Sequence, residues 1–204
     1  MDIPKTTKFG HNQDLNSQIG CLERILEQNE TIKRILELAP RLQMPNWYLG
    51  AGCIAQTVWN MHHGFDLIHG IKDYDLVYYD SPDITQEGEK LYIKKGRDCF
   101  RDLPIEIKNE ARVHLWYEKH FGYSIKPYKS IEEAINTWPT TATSVAVKYD
   151  NKGEFIVIAP YGLNDLFGMI VRPNKTQITK KIYLEKVERW ERIWPKLTII
   201  PWVQ

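Results

Sequence analysis

Trp47-Tyr-Leu-Gly-Ala-Gly-Cys-Ile-Ala-Gln-Thr-Val-Trp-Asn60, followed after a loop by Lys72-Asp-Tyr-Asp-Leu-Val-Tyr-Tyr-Asp80, decides the fold of this chain. It predicts a short buried strand at Trp47–Leu49, a turn of small residues, a helix from Cys53 to about His62, a loop over 64–70, and a second strand over 73–79. Side chains on a strand alternate between its faces, so Asp73 and Asp75 point the same way. Two carboxylates on one face repel unless a cation lies between them. The turn Gly50-Ala51-Gly52-Cys53 opens a helix with little side-chain bulk. Backbone N–H groups and the helix dipole meet at such a turn, so a phosphate is the ligand it suits.

Outward from this stretch the pattern continues as strands interleaved with helices. Ile19, Leu22, Ile25 and Leu26, then Ile32, Ile35 and Leu36, recur at helical spacing, with Asn29 as the cap between two helices and Pro40 ending the second. Residues 1–14 are polar, without periodicity, and are expected to fray. A helix is expected over 87–100, a strand over 103–107 with Glu106 between two isoleucines, and a helix over 108–121. Ser130 and Glu133 form a capping-box pattern. Asp150-Asn-Lys-Gly153 marks a hairpin between strands at 144–148 and 154–158. Helices are expected over 163–171 and 180–194, ended by Pro173 and Pro195. The class is α+β with α/β-like features: a mixed sheet flanked by helices. Residues 1–42 form a helical segment packed on a domain of residues 43–204, the whole being one globular unit.

Asp73, Asp75 and Glu106 are the candidate catalytic and metal-binding residues. If the Glu106 strand lies beside the Asp73–Asp75 strand, three carboxylates converge. Hard cations such as Mg²⁺ or Mn²⁺ take oxygen ligands and fill the remaining positions with water and substrate phosphates. Gly50, Gly52 and Cys53 are the candidate phosphate seat. If 108–121 is helical, Lys108 and Arg112 share a face. They then either receive phosphates or the acceptor, or form a solvated basic face. His114 is expected in a structural hydrogen bond, His62 and His63 as an exposed pair at a helix end, and Asn164 and Asp165 as caps.

Composition narrows the partners. The formal net charge is +1 over 204 residues, which makes an extended nucleic-acid acceptor unlikely. Seven Trp and eleven Tyr imply a core and clefts built from large rings. Cys21, Cys53 and Cys99 are scattered, with no Cys-x-x-Cys pair, so neither a zinc knuckle nor a disulfide framework is indicated. No apolar run is long enough to span a membrane, and a reducing cytoplasm is the expected location.

The order of these parts resembles the nucleotidyltransferase superfamily of the DNA polymerase beta type. Gly52-Cys53, Asp73, Asp75 and Glu106 fall on its motif positions. More closely, Trp47–Gly52, Val58-Trp59, Asp73–Asp80, Glu106–Tyr117 and Ala159–Phe167 resemble a bacterial family of nucleotidyltransferase-like proteins. The resemblance implies a nucleoside triphosphate substrate, Mg²⁺ or Mn²⁺, and transfer of a nucleoside monophosphate to a hydroxyl on a small molecule or a protein. It further implies Asp75 on both metals, with Asp73 and Glu106 on one each. Cys53 departs from the superfamily, which carries Gly or Ser there; a thiol is a poorer donor, so a side-chain contact to phosphate is weakened. The alternative is a nucleotide-binding, regulatory or protein-interaction module that retains the fold without the chemistry.

Overall fold

Three strands line up the residues that matter. In the computed structural model, which describes residues 10–203, β1 (Tyr48–Gly50) pairs antiparallel with β2 (Tyr74–Tyr78), and β2 pairs parallel with β3 (Ile105–Asn109). Gly50 lies opposite Asp75, and Asp75 opposite Glu106, so the three form one row across the sheet. β4 (Ala146–Tyr149) and β5 (Phe155–Ile158) complete a mixed five-stranded sheet of order β3-β2-β1-β4-β5. The β4–β5 hairpin forms as the Asp150-to-Gly153 signal predicts: Asp150 Oδ1 accepts from the amides of Lys152 and Glu154, both at 2.8 Å, and Gly153 takes φ +80°.

One face of the sheet is sealed. α1 (Leu15–Glu27), α2 (Glu30–Leu38), α3 (Gly52–His63) and α4 (Gln86–Phe100) share a single core with Leu49, Leu76 and Tyr78. The expected apolar stripe of the first two helices is buried, and Asn29 caps α2 by accepting from Thr31 and Ile32 amides at 3.1 and 3.2 Å. Gly96 on α4 lets Ile107 of β3 approach the helix backbone. α8 (Lys180–Ile193) joins this core through Trp59, whose ring meets Trp190 and Trp194 edge-on at 5.4 and 5.5 Å. On the other face, α6 (Ile131–Ile135) covers Tyr48, Val77 and Ala146. No helix among the described residues is long and apolar enough to cross a membrane.

Several expectations need correction. Residues 1–9 lie outside the described residues, but Gly10 to Asp14 are tied down. Gly10 carbonyl accepts from Gln18 Nε2 at 2.7 Å, Asn12 amide donates to Asn164 Oδ1 at 2.7 Å, and Asp14 caps α1. The span 108–121 is not one helix. Lys108 and Asn109 continue β3, because its ladder with β2 runs on to Tyr78, and α5 (His114–Phe121) starts after a 3-10 turn over Glu110–Arg112. Lys108 and Arg112 therefore share no helix face. Residues 163–171 split into the short α7 (Asn164–Phe167) and β6 (Ile170–Val171). Met169 turns the chain at φ +53°, and β6 finds a parallel partner in β7 (Thr198–Ile199), a pairing no local pattern announces. Asn164 and Asp165 cap nothing; Asn164 holds the N-terminal segment and Asp165 holds Thr141 and Arg172. His63 is not an exposed bystander: it meets Trp59 carbonyl at 2.7 Å and accepts from Lys196 amide at 3.0 Å. His114 Nδ1 is buried without a hydrogen-bond partner among the described residues.

Candidate active site

The row begins at Gly50, where a ring packs directly on the strand. A Cβ on Gly50 would lie 2.7 Å from the Trp138 ring and 2.9 Å from Ala146 Cβ. Glycine lets the indole rest on the strand backbone beside Asp75. The next residue, Ala51, sits at φ +62°, ψ −131°, a conformation that costs a non-glycine residue about 1–3 kcal/mol. Its amide donates to Val145 carbonyl at 2.9 Å, which pins the turn to the end of β4. α3 then begins at Gly52 with no side-chain cap. The Cys53 thiol is buried and donates to Gly50 carbonyl at 3.2 Å, so it serves the turn and does not face a ligand. Burial holds that thiol well above its usual range, and the charges of Asp75 and Asp73 add to the effect.

Across the row, Asp75 and Glu106 present carboxylates on the same face, and Lys108, two residues along β3, lies between them. Lys108 Nζ is 3.2 Å from Asp75 Oδ1 and 2.6 Å from Glu106 Oε2. Burial pulls the ammonium down, but Asp75 and Glu106 together hold it above the usual lysine range. Burial pushes the Asp75 carboxyl up; Lys108 opposes this, and Asp73 and Glu106 reinforce it. Asp73 precedes β2 and stands close enough to act on Asp75 and Cys53 through its charge. Arg112 is held elsewhere: its guanidinium pairs with Glu89 of α4 and donates from Nε to Ile84 carbonyl at 3.3 Å.

Asp75 and Lys108 open into a cavity of about 470 Å³. Ala51 of the turn reaches it too, together with an aromatic wall of Trp116, Tyr117, Phe121, Tyr128 and Trp138. A further wall is α8, which contributes Ile182, Glu185, Lys186 and Arg189. Glu110 lies on the floor, and burial pushes its carboxyl up to about 8, with Lys108 opposing and Asp75 and Glu89 adding. Glu106 instead borders a smaller space of about 240 Å³ on the other side of Lys108, beside Arg97 and Arg101.

Sequence reasoning missed Glu110, Lys186 and Arg189. A signal for the first was present: Glu106, Lys108 and Glu110 alternate with Ile105, Ile107 and Asn109, a period-two pattern that continues the strand. For α8, Ile182, Lys186 and Arg189 recur at helical spacing, yet nothing local says that this stripe faces a cavity.

Two carboxylates share one cation, the Lys108 ammonium. Mg²⁺ is held in many sites by one or two carboxylates, with water and substrate phosphate completing its shell. With the side chains as they stand, no group of three His, Cys, Asp or Glu among the described residues is arranged to hold a metal ion. Were such an ion to bind, Asp75 and Glu106 would offer it two carboxylates, with Asp73 nearby.

No curated protein matches the chain. Among solved structures, one whose NMR structure is described as revealing a CCA-adding enzyme head domain aligns with a TM-score of 0.75, over 96% of this chain and 98% of that one, at 24% identity. That likeness establishes the fold: a mixed sheet flanked by helices, as in that head domain. A family model described as nucleotidyltransferase matches residues 37–199, a span that includes β1, β2, β3 and α8, and the chain belongs to that nucleotidyltransferase family.

Proposed function

We propose that this protein is a divalent-metal-dependent nucleotidyltransferase that moves a nucleoside monophosphate from a nucleoside triphosphate to a hydroxyl on a small molecule or a protein. The observation that carries the reading is the in-register pair Asp75 and Glu106 sharing the Lys108 ammonium, with Asp75 and Lys108 lining a 470 Å³ cavity that has an aromatic wall. Mg²⁺ or Mn²⁺ held by Asp75 and Glu106, with Asp73 beside them, would supply charge neutralisation at the transferred phosphoryl group. Lys108 has two positions available to its flexible stem: between the carboxylates, or on a phosphate once an ion takes its place. The aromatic wall stacks the base and excludes water. One carboxylate of the set takes the proton of the acceptor hydroxyl. The acceptor oxygen bonds to the α-phosphorus as the bond to the bridging oxygen breaks, and pyrophosphate leaves with that electron pair.

A second reading has its own support. The Lys108 ammonium already neutralises the carboxylate pair, as it would in a nucleotide-binding module that has lost transfer. Incubation with each α-labelled nucleoside triphosphate, Mg²⁺ or Mn²⁺ and a cell extract separates the two. Transfer predicts label in an acceptor and metal-dependent pyrophosphate release, both lost in Asp73→Ala with Asp75→Ala. Nucleotide binding without label from any of the four triphosphates selects the module.

A further inference from the structure

Lys186 and Arg189 stand three apart on α8, a spacing that puts both side chains on one helix face. Both line the cavity that Asp75 and Lys108 also line. Neither has a hydrogen-bond or ion-pair partner among the described residues, and Arg189 Nε is buried with none. Burial also weakens the hold of Lys186 on its proton; the charge of Asp75 opposes this most, Arg189 and Lys108 add to it, and Asp73 opposes it. Two like charges drawn out of water side by side, one with an orphaned donor, are costly unless an anion joins them. Elsewhere on α8, Lys181 pairs with Glu185, which also reaches the cavity, and Arg192 pairs with Glu188 in solvent.

The rest of the cavity restricts which anion fits. Lys108 is already matched by Asp75 and Glu106, so the unmatched charge is on α8. The aromatic wall is suited to a flat ring. A ligand with a ring at one end and two or more negative charges at the other complements both walls. The small-residue turn, expected to seat phosphate, brings only Ala51 to the cavity and brings no side-chain charge.

We propose that Lys186 and Arg189 form the cradle for the β- and γ-phosphates of the bound nucleotide, and so for the pyrophosphate that departs. This deepens the transfer reading and rests on it. The last helix then completes a site whose carboxylates come from β2 and β3, and the Trp59–Trp190–Trp194 cluster fixes its distance from them. Charge-assisted hydrogen bonds of this kind place each cation at about tenfold or more in affinity.

The test titrates the full chain with inorganic pyrophosphate in the presence of Mg²⁺ by calorimetry, with the thermal shift measured alongside. Lys186→Gln and Arg189→Gln each weaken pyrophosphate about tenfold or more, and the double variant abolishes the pyrophosphate-induced rise in melting temperature. Without ligand, the double variant melts no lower than the wild type, because it loses a repulsion and an unpaired donor. Arg192→Gln, on the exposed face of the same helix, leaves pyrophosphate affinity unchanged. Undiminished affinity in the double variant, with triphosphate still bound in an Asp75-dependent way, overturns the cradle and leaves the transfer reading standing. A wild-type chain that binds neither pyrophosphate nor any triphosphate overturns both.

Discussion

Leu76 and Asp75 are neighbours on one strand and belong to two different environments. Leu76 faces the side sealed by α1 to α4 and is fully buried in the main core. Asp75 faces the side where α6 covers only part of the sheet, and its side chain keeps 20% of its surface in solvent. The contrast teaches how such a site is held: a dry face with large apolar contacts fixes the strands, and the opposite face is then free to carry like charges close together. Burial on one side offsets repulsion on the other.

The sharpest way to break that contrast is to exchange the consequences. Leu76→Ala leaves a cavity in the sealed face and is expected to cost about 2–5 kcal/mol in urea unfolding. Asp75→Asn is expected to cost no more than about 1 kcal/mol, because Lys108 keeps Glu106 and 39% of its own side chain remains in solvent. Equal losses from the two substitutions would show that both faces bear on stability alike.

Glu110 sharpens the comparison through pH. Its folded value of about 8 stands above the ordinary 4.5, so between those two pH values the folded state holds a proton that the unfolded state has released. Stability therefore falls as pH rises through that window. Glu110→Gln removes the dependence. Relative to wild type, the variant gains up to a few kcal/mol between pH 5 and pH 8, measured by denaturant unfolding at both values. A wild-type stability that climbs from pH 5 to pH 8, unchanged in slope by the substitution, would contradict a neutral carboxyl on the cavity floor.

The smallest expected effect is at the turn. Ala51 holds a conformation that glycine adopts freely, so Ala51→Gly relieves strain at the cost of greater chain entropy, for a net gain of roughly 1 kcal/mol or less. A loss of more than that would mean the methyl group makes contacts that outweigh its strain.

What could be read in the sequence follows the same division. From Trp47 to Asp80 each element is set by its neighbours: alternation, small residues at a turn, then helical spacing. That region, the first two helices and the β4–β5 hairpin stand close to expectation. Glu106 beside Asp75 was also legible, through its apolar flanks and its position after a helix. Where pairing partners lie far along the chain, local pattern fails. The parallel pairing of β6 with β7 turned an expected helix into a strand, and the extension of β3 through Asn109 took Lys108 off the helix assigned to it. The α8 wall was invisible for a related reason. An amphipathic helix with cations on its polar side is ordinary in sequence, and only the tertiary fold shows that Lys186 and Arg189 turn toward a cavity.

The central claim is that Asp75 holds the divalent ion through which nucleotide is bound, and calorimetric titration of nucleoside triphosphates with and without Mn²⁺ tests it most directly. The account predicts that wild type binds at least one triphosphate much more tightly with the metal present. Folded Asp75→Asn should lose at least about tenfold of that affinity, the scale of one charge-assisted metal or phosphate contact. Triphosphate binding that ignores the metal, or that Asp75→Asn leaves intact, would contradict it.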